Sequence, residues 1–166
     1  MKTSEELRRV RELRDQGLVG HYVDAARKLA AAEPQQVAVH IEAAYACESV
    51  GEDEAALEHY DAAWALGIPD DEGPAFTASY GSTLTTVGRV DEAVAILGEA
   101  LQRYPDYAPL KAFLALALNA HGHPTAAMAT LLQLTLELAR DDDLDGFDSA
   151  LAQVQTELIA ASMERP

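Results

Sequence analysis

The sequence predicts an all-α protein built from a repeated helix–turn–helix unit. Three observations carry this. Gly17, Gly51, Gly88 and Gly122 recur in steps of 34, 37 and 34 residues, each between two apolar, helix-patterned stretches. Hydrophobic residues make up 49% of the 166, much of it alanine and leucine, which are strong helix formers. Long β-branched runs are absent. A period of about 34 residues marks a helix pair that cannot bury its own apolar face and must stack on a neighbour. The length suits one compact unit or one short solenoid.

Residues 1–35 read as a divergent first pair. Gly17 and Pro34 are in register with the later copies, but Val10 and Tyr22 stand where the others carry small residues. Terminal repeats are often atypical because one face meets solvent. Three better-matched copies follow over residues 36–141, at about 37–70, 74–107 and 108–141. Seven residues before each turn glycine is a small residue: Ala44, Gly81, Ala115. Five after it is an alanine: Ala56, Ala93, Ala127. Small side chains at both points let paired helices approach closely. Tyr60, Leu97 and Leu131 follow four positions later and are expected to fill the space between repeats.

The glycine itself suits the left-handed residue after a helix C-terminus. Asp53, Glu54, Asp91 and Glu92 then fall in a first helical turn, where the dipole favours anions. The three extra residues of the 37-residue step belong to the loop Gly67–Gly73. Residues 142–166 read as a capping helix, with Phe147, Leu151, Val154 and Leu158 spaced for one face. The expected total is nine helices, four antiparallel pairs and a cap, in one continuous domain.

The joint pattern of small residue, turn glycine, alanine and closing proline resembles the tetratricopeptide repeat family. It is carried by Ala44, Gly51, Ala56 and Pro69 (one place late); by Gly81, Gly88, Ala93 and Pro105; and by Ala115, Gly122 and Ala127 without a proline. The family's helix A tryptophan is absent from all three copies. The resemblance implies a right-handed superhelix whose A helices line a concave groove. It further implies that Ile41, Tyr45, Glu48, Ala78, Ser82, Thr85, Ala112, Leu116 and Asn119 face that groove. Family members that clamp a carboxylate use lysine, arginine and asparagine there; only Asn119 matches, so that clamp is not expected. Tyr45 and Leu116 are the anchor candidates, since aromatic and apolar groups in a groove tend to dominate affinity; the alternative is that both pack against neighbouring helices.

The formal charge of −16 argues against nucleic acid and anionic membrane surfaces, which need clustered lysine and arginine. The charged N-terminus does not read as a secretory signal, and no unbroken apolar run of about 20 residues offers a membrane span. Cys47 is the lone cysteine, which allows no internal disulfide and suits a reducing, cytoplasmic setting. Its place in a helix A reads as a buried, inert thiol. No nucleophile–base pair, phosphate loop or cofactor motif stands out, so an enzyme is not expected.

His121 and His123 share a turn, but a metal site needs three or four ligands. His123 is expected to cap the helix begun by Pro124. The run Asp141-Asp142-Asp143-Leu144-Asp145-Gly146 matches the first half of a calcium loop, with Asp141, Asp143 and Asp145 as candidate ligands. The second half fails, because Ala152 stands where a bidentate glutamate is needed. The plainer reading is an acidic turn whose carboxylates cap the following helix. Residues 1–35 carry seven basic and six acidic groups, net +1; residues 36–166 carry five and 22, net −17. The basic side of the first helix, Arg8, Arg9, Arg11 and Arg14, is either a solvated face or a contact for the acidic body of another copy.

These readings converge on a non-enzymatic scaffold that binds a protein or peptide segment in its groove. The alternatives are a self-associating assembly module, here a homodimer, and a calcium-responsive regulator acting through the Asp141–Gly146 turn.

Overall fold

The computed structural model describes residues 2–140 and 143–163. Among them are nine helices and no strand: α1 (Lys2–Asp15), α2 (Val19–Ala32), α3 (Val37–Glu48), α4 (Asp53–Leu66), α5 (Gly73–Thr86), α6 (Val90–Arg103), α7 (Ala108–Ala120), α8 (Pro124–Leu138) and α9 (Asp148–Met163). The chain forms two compact units, Met1–Phe76 and Thr77–Pro166.

The four periodic glycines all have positive φ: 71° at Gly17, 73° at Gly51, 86° at Gly88 and 91° at Gly122. Each turn closes with the same bond. The amide after the glycine donates to a carbonyl five residues back: Leu18 to Leu13 (3.0 Å), Glu52 to Cys47 (3.1 Å), Arg89 to Leu84 (2.9 Å) and His123 to Leu118 (2.8 Å). This six-to-one closure requires a left-handed residue in its middle, which glycine adopts without a Cβ penalty. The acidic pairs Asp53–Glu54 and Asp91–Glu92 occupy the first turns of α4 and α6. The longest helix connection of the repeats, residues 67–72, holds the extra residues, with Pro69 O accepting from the Glu72 and Gly73 amides.

In the first unit Ala44, Ala56 and Ala63 are completely buried. With no bulk at those points α3 and α4 close on each other, and Tyr60 fills the gap, itself fully buried. Its ring meets Tyr45 edge-on at 6.1 Å and Phe76 at 5.4 Å, a favoured arrangement worth about 0.5–1.5 kcal/mol per pair beyond area burial. Val10 and Tyr22, the oversized residues of the divergent pair, join the core with Leu7, Val23, Leu29 and Val39.

In the second unit Gly81 makes the close approach of α5 and α6. A Cβ there would lie 2.5–2.7 Å from three atoms of Leu97, which is completely buried. Ala115 and Ala127 play the equivalent part for α7 and α8, at 1% and 5% exposure.

Two expectations are corrected in this unit. Leu131 is 42% exposed and fills no gap between repeats. It shares an exposed stripe of α8 with Met128 and Leu138, a side that the single helix α9 leaves uncovered. The apolar line of α9 is also split. Leu151 and Leu158 are half-buried, whereas Phe147 and Val154 are exposed at 64% and 45%.

Candidate interaction surfaces

The residues expected to face a groove differ widely in accessibility. In the first unit Ile41 is core, 1% exposed, and offers no contact surface. A β-branched residue early in α3 serves helix packing better than solvent contact. Tyr45 and Glu48 are half-buried, and both take part in internal contacts: Tyr45 on Tyr60, and Glu48 accepting the Tyr60 hydroxyl at 2.8 Å. In the second unit Ala78 is buried, Ser82, Thr85 and Ala112 are half-buried, and Leu116 and Asn119 are exposed. The Thr85 hydroxyl donates back to the Gly81 carbonyl at 2.8 Å. Leu116 is the large apolar side chain of this set that reaches solvent, at 55%.

Asp141 and Asp142 lie outside the described residues, so the turn is seen from Asp143 onward. The Asp143 carboxylate accepts the Arg140 backbone amide at 2.9 Å and lies 3.7 Å from the Arg140 guanidinium. It therefore caps backward rather than into α9. Asp145 and Gly146 both have positive φ, 48° and 80°. Among the described residues no three histidine, cysteine, aspartate or glutamate side chains are grouped to hold a metal ion.

Four of the five histidines form two pairs. His121 and His123 stack at 4.9 Å, and His121 Nε2 lies 2.6 Å from Asp91. His123 stands at the N-cap position of α8 but its side chain makes no capping bond, a correction to the expectation for that residue. Pro124 at the first helical position has no amide, which leaves one fewer unpaired donor at this helix start. His40 and His59 place their Nδ1 atoms 3.2 Å apart, with His40 Nε2 3.1 Å from the Pro34 carbonyl. A carbonyl only accepts, so neutral His40 carries its proton on Nε2 and accepts from His59 Nδ1–H. Burial, and then the nearness of His40, lower the pKa of His59.

One constellation escaped the sequence reading. Glu42, in α3, is 2% exposed and accepts from Arg11 at 2.7 Å, Arg14 at 2.9 Å and the Tyr22 hydroxyl at 2.9 Å. A buried carboxylate is costly unless its lone pairs are satisfied, and these three donors satisfy them. Burial and the adjacent carboxylate raise the Tyr22 pKa, so the phenol stays a donor. The basic helix is thus corrected as well. Arg11 and Arg14 turn toward α3, and Arg8 and Arg9 pair with Glu12 and Glu5 on their own helix. The available signal was a lone glutamate inside the apolar run Val37–Cys47, opposite arginines three apart.

Cys47 is buried and free. No helix among the described residues is long and apolar enough to cross a membrane.

No curated protein matches the chain. Several solved structures share its fold, two of them as follows. The crystal structure of the MamA protein superposes with a TM-score of 0.70 at 16% identity, over 98% of this chain and 90% of that one. PilF of Pseudomonas aeruginosa does so with a TM-score of 0.57 at 17% identity, over 99% and 78%. The family model described as "Tetratrico peptide repeat" matches residues 37–159. With that match over most of its length and the same helix-hairpin architecture, the chain belongs to the tetratricopeptide repeat family, a family of protein-interaction modules.

Proposed function

We propose that the chain is a non-enzymatic interaction module whose A-helix surface in the second unit binds a peptide or protein segment. The observation that carries this is Leu116, a leucine on α7 with 55% of its surface in water. Beside it in sequence register stand Ala112 and Asn119 on the same helix and Ser82 and Thr85 on α5, all small or weakly polar. An apolar anchor among short side chains suits a segment that lays its own apolar group against Leu116 and is read by Asn119. Tyr45 and Glu48 offer a separate, half-buried surface of the same kind in the first unit. The buried free thiol suits work in a reducing compartment, the cytoplasm.

The test is selection of peptides from a random displayed library on the immobilised full chain, followed by titration calorimetry of the recovered sequences. Leu116→Glu is expected to weaken the selected peptides at least tenfold, about 1.4 kcal/mol. Met128→Glu, at an exposed site on α8, is expected to leave them unchanged. Equal binding to wild type and Leu116→Glu overturns this assignment, as does a selection that yields no saturable binder.

A further inference from the structure

We infer that copies of this chain associate head to tail, the exposed apolar edge of α9 from one copy seating in a recess between α1 and α2 of the next. The recess holds about 340 Å³ and has Val10, Leu13, Ala25 and Leu29 among its lining residues. Its charged rim is Glu6, Arg9 and Lys28. Arg9 is shared with Glu5, while Lys28 makes no ion pair among the described residues. A helix pair in a repeat protein has two faces to cover. This pair packs against α3 with one face and leaves the recess on another.

The occupant is argued from shape and charge. Phe147, the residue just before α9, and Val154 within it stand one heptad apart in sequence, and both are exposed. Glu157 follows Val154 by one turn and Asp148 follows Phe147, so this edge is apolar with acidic flanks. Residues 124–166 hold eight acidic and two basic groups, net −6, and residues 36–123 hold fourteen and three, net −11. An incoming α9 is repelled least by residues 1–35, whose formal net is +1 although Arg11 and Arg14 are paired with Glu42, and Arg27 with Glu52, within the chain. The recess in that segment, where Lys28 stands beside Glu6 and the Glu5-paired Arg9, is the seat whose charge opposes it least. The two surfaces differ, so each joined copy still offers one free end. A heterologous contact of this kind grows open chains or rings rather than stopping at a two-fold dimer.

Sedimentation of the full chain from micromolar to about a millimolar tests the inference, with two double variants. Ala25→Glu/Lys28→Glu spoils the recess, and Phe147→Glu/Val154→Glu spoils the edge. All four positions are exposed or half-buried, and circular dichroism melts check each fold; Lys28→Glu alone serves if the first variant melts early. The wild-type average mass is expected to climb past that of a dimer. Each variant alone is expected to remain monomeric, and their equimolar mixture to form a species of two chains and no larger. That rescue is specific to a heterologous contact, because each variant keeps the half that the other lost. A wild-type monomer throughout overturns the inference. So does association of either variant as strong as wild type, or a mixture that stays monomeric. Leu116→Glu is expected to assemble as wild type does, which separates this contact from the peptide surface; loss of assembly in that variant overturns it too.

Discussion

Replacing Gly81 by alanine and replacing Gly98 by alanine should move stability in opposite directions. Both glycines lie in helix interiors, α5 and α6, of the same compact unit. Alanine is favoured over glycine there by about 1 kcal/mol, mostly through lost chain entropy. At Gly98 a new Cβ meets nothing within 4 Å, so the gain is realised. At Gly81 it would sit 2.5 Å from Leu97 Cγ, 2.6 Å from Cδ2 and 2.7 Å from Cδ1. Ordinary carbon contacts are about 3.5–4.0 Å, so Leu97 must retreat by about 1 Å. It is fully buried and has no open side to enter. Overpacking of that kind costs about 1–3 kcal/mol, which cancels or exceeds the propensity gain. The expected difference between the two variants is about 1–3 kcal/mol, or several degrees in Tm for a chain of this length. Circular dichroism melts and urea titrations read it. A double-mutant cycle adding Leu97→Ala should show coupling of about 1 kcal/mol or more, since the shortened side chain makes room. Equal stabilisation by both alanines, or an additive cycle, refutes the close approach of α5 and α6 as the reason for Gly81.

The Glu42 cluster predicts an asymmetry: Arg11→Met/Arg14→Met strands a buried carboxylate and should cost about 3–5 kcal/mol. Glu42→Gln leaves two arginines already 42% and 44% exposed and should cost less in the same urea titration; the reverse order would sink the account. The His40–His59 pair predicts acid sensitivity. The folded pKa of His59 lies below its ordinary 6.5, so the unfolded chain takes the proton first. Stability from this site is complete above about pH 6.5 and is lost as pH falls from there to the depressed folded value. Arg27 acts in the same sense and Glu58 in the opposite one. Subtracting the melting profile of His59→Gln from that of wild type should isolate a fall across this window, and parallel profiles would exclude it.

The architecture was legible because its determinants are local. A turn glycine needs only its own φ, and four of them at a steady step announce four hairpins. Small residues at Ala44, Gly81 and Ala115 likewise report helix contact directly. The surfaces were harder to read, because exposure depends on what covers a helix rather than on the helix itself. Leu97 and Leu131 stand at equivalent positions, yet one is sealed and the other lies in water. The periodicity of α9 correctly placed Leu151 and Leu158 inward. It could not separate them from Phe147 and Val154, which lie within a small rotation on the same wheel. Glu42 was missed for a related reason. A charge in an apolar run looks like surface until its partners on another helix are known.

The repeated six-to-one closure at the glycine turns bears on how the chain finds its fold. Each hairpin is sealed by a bond spanning a handful of residues, as at Gly17, Gly51, Gly88 and Gly122. Little loop entropy is lost before such a contact is made. Helical proteins dominated by contacts this near in sequence fold in about microseconds to milliseconds. A hairpin weakened by mutation can therefore fray by itself and re-form quickly while its neighbours hold. Unfolding of this chain should spread as a moving boundary from its termini, and hydrogen exchange should be faster in α1 and α9 than in α3 or α6.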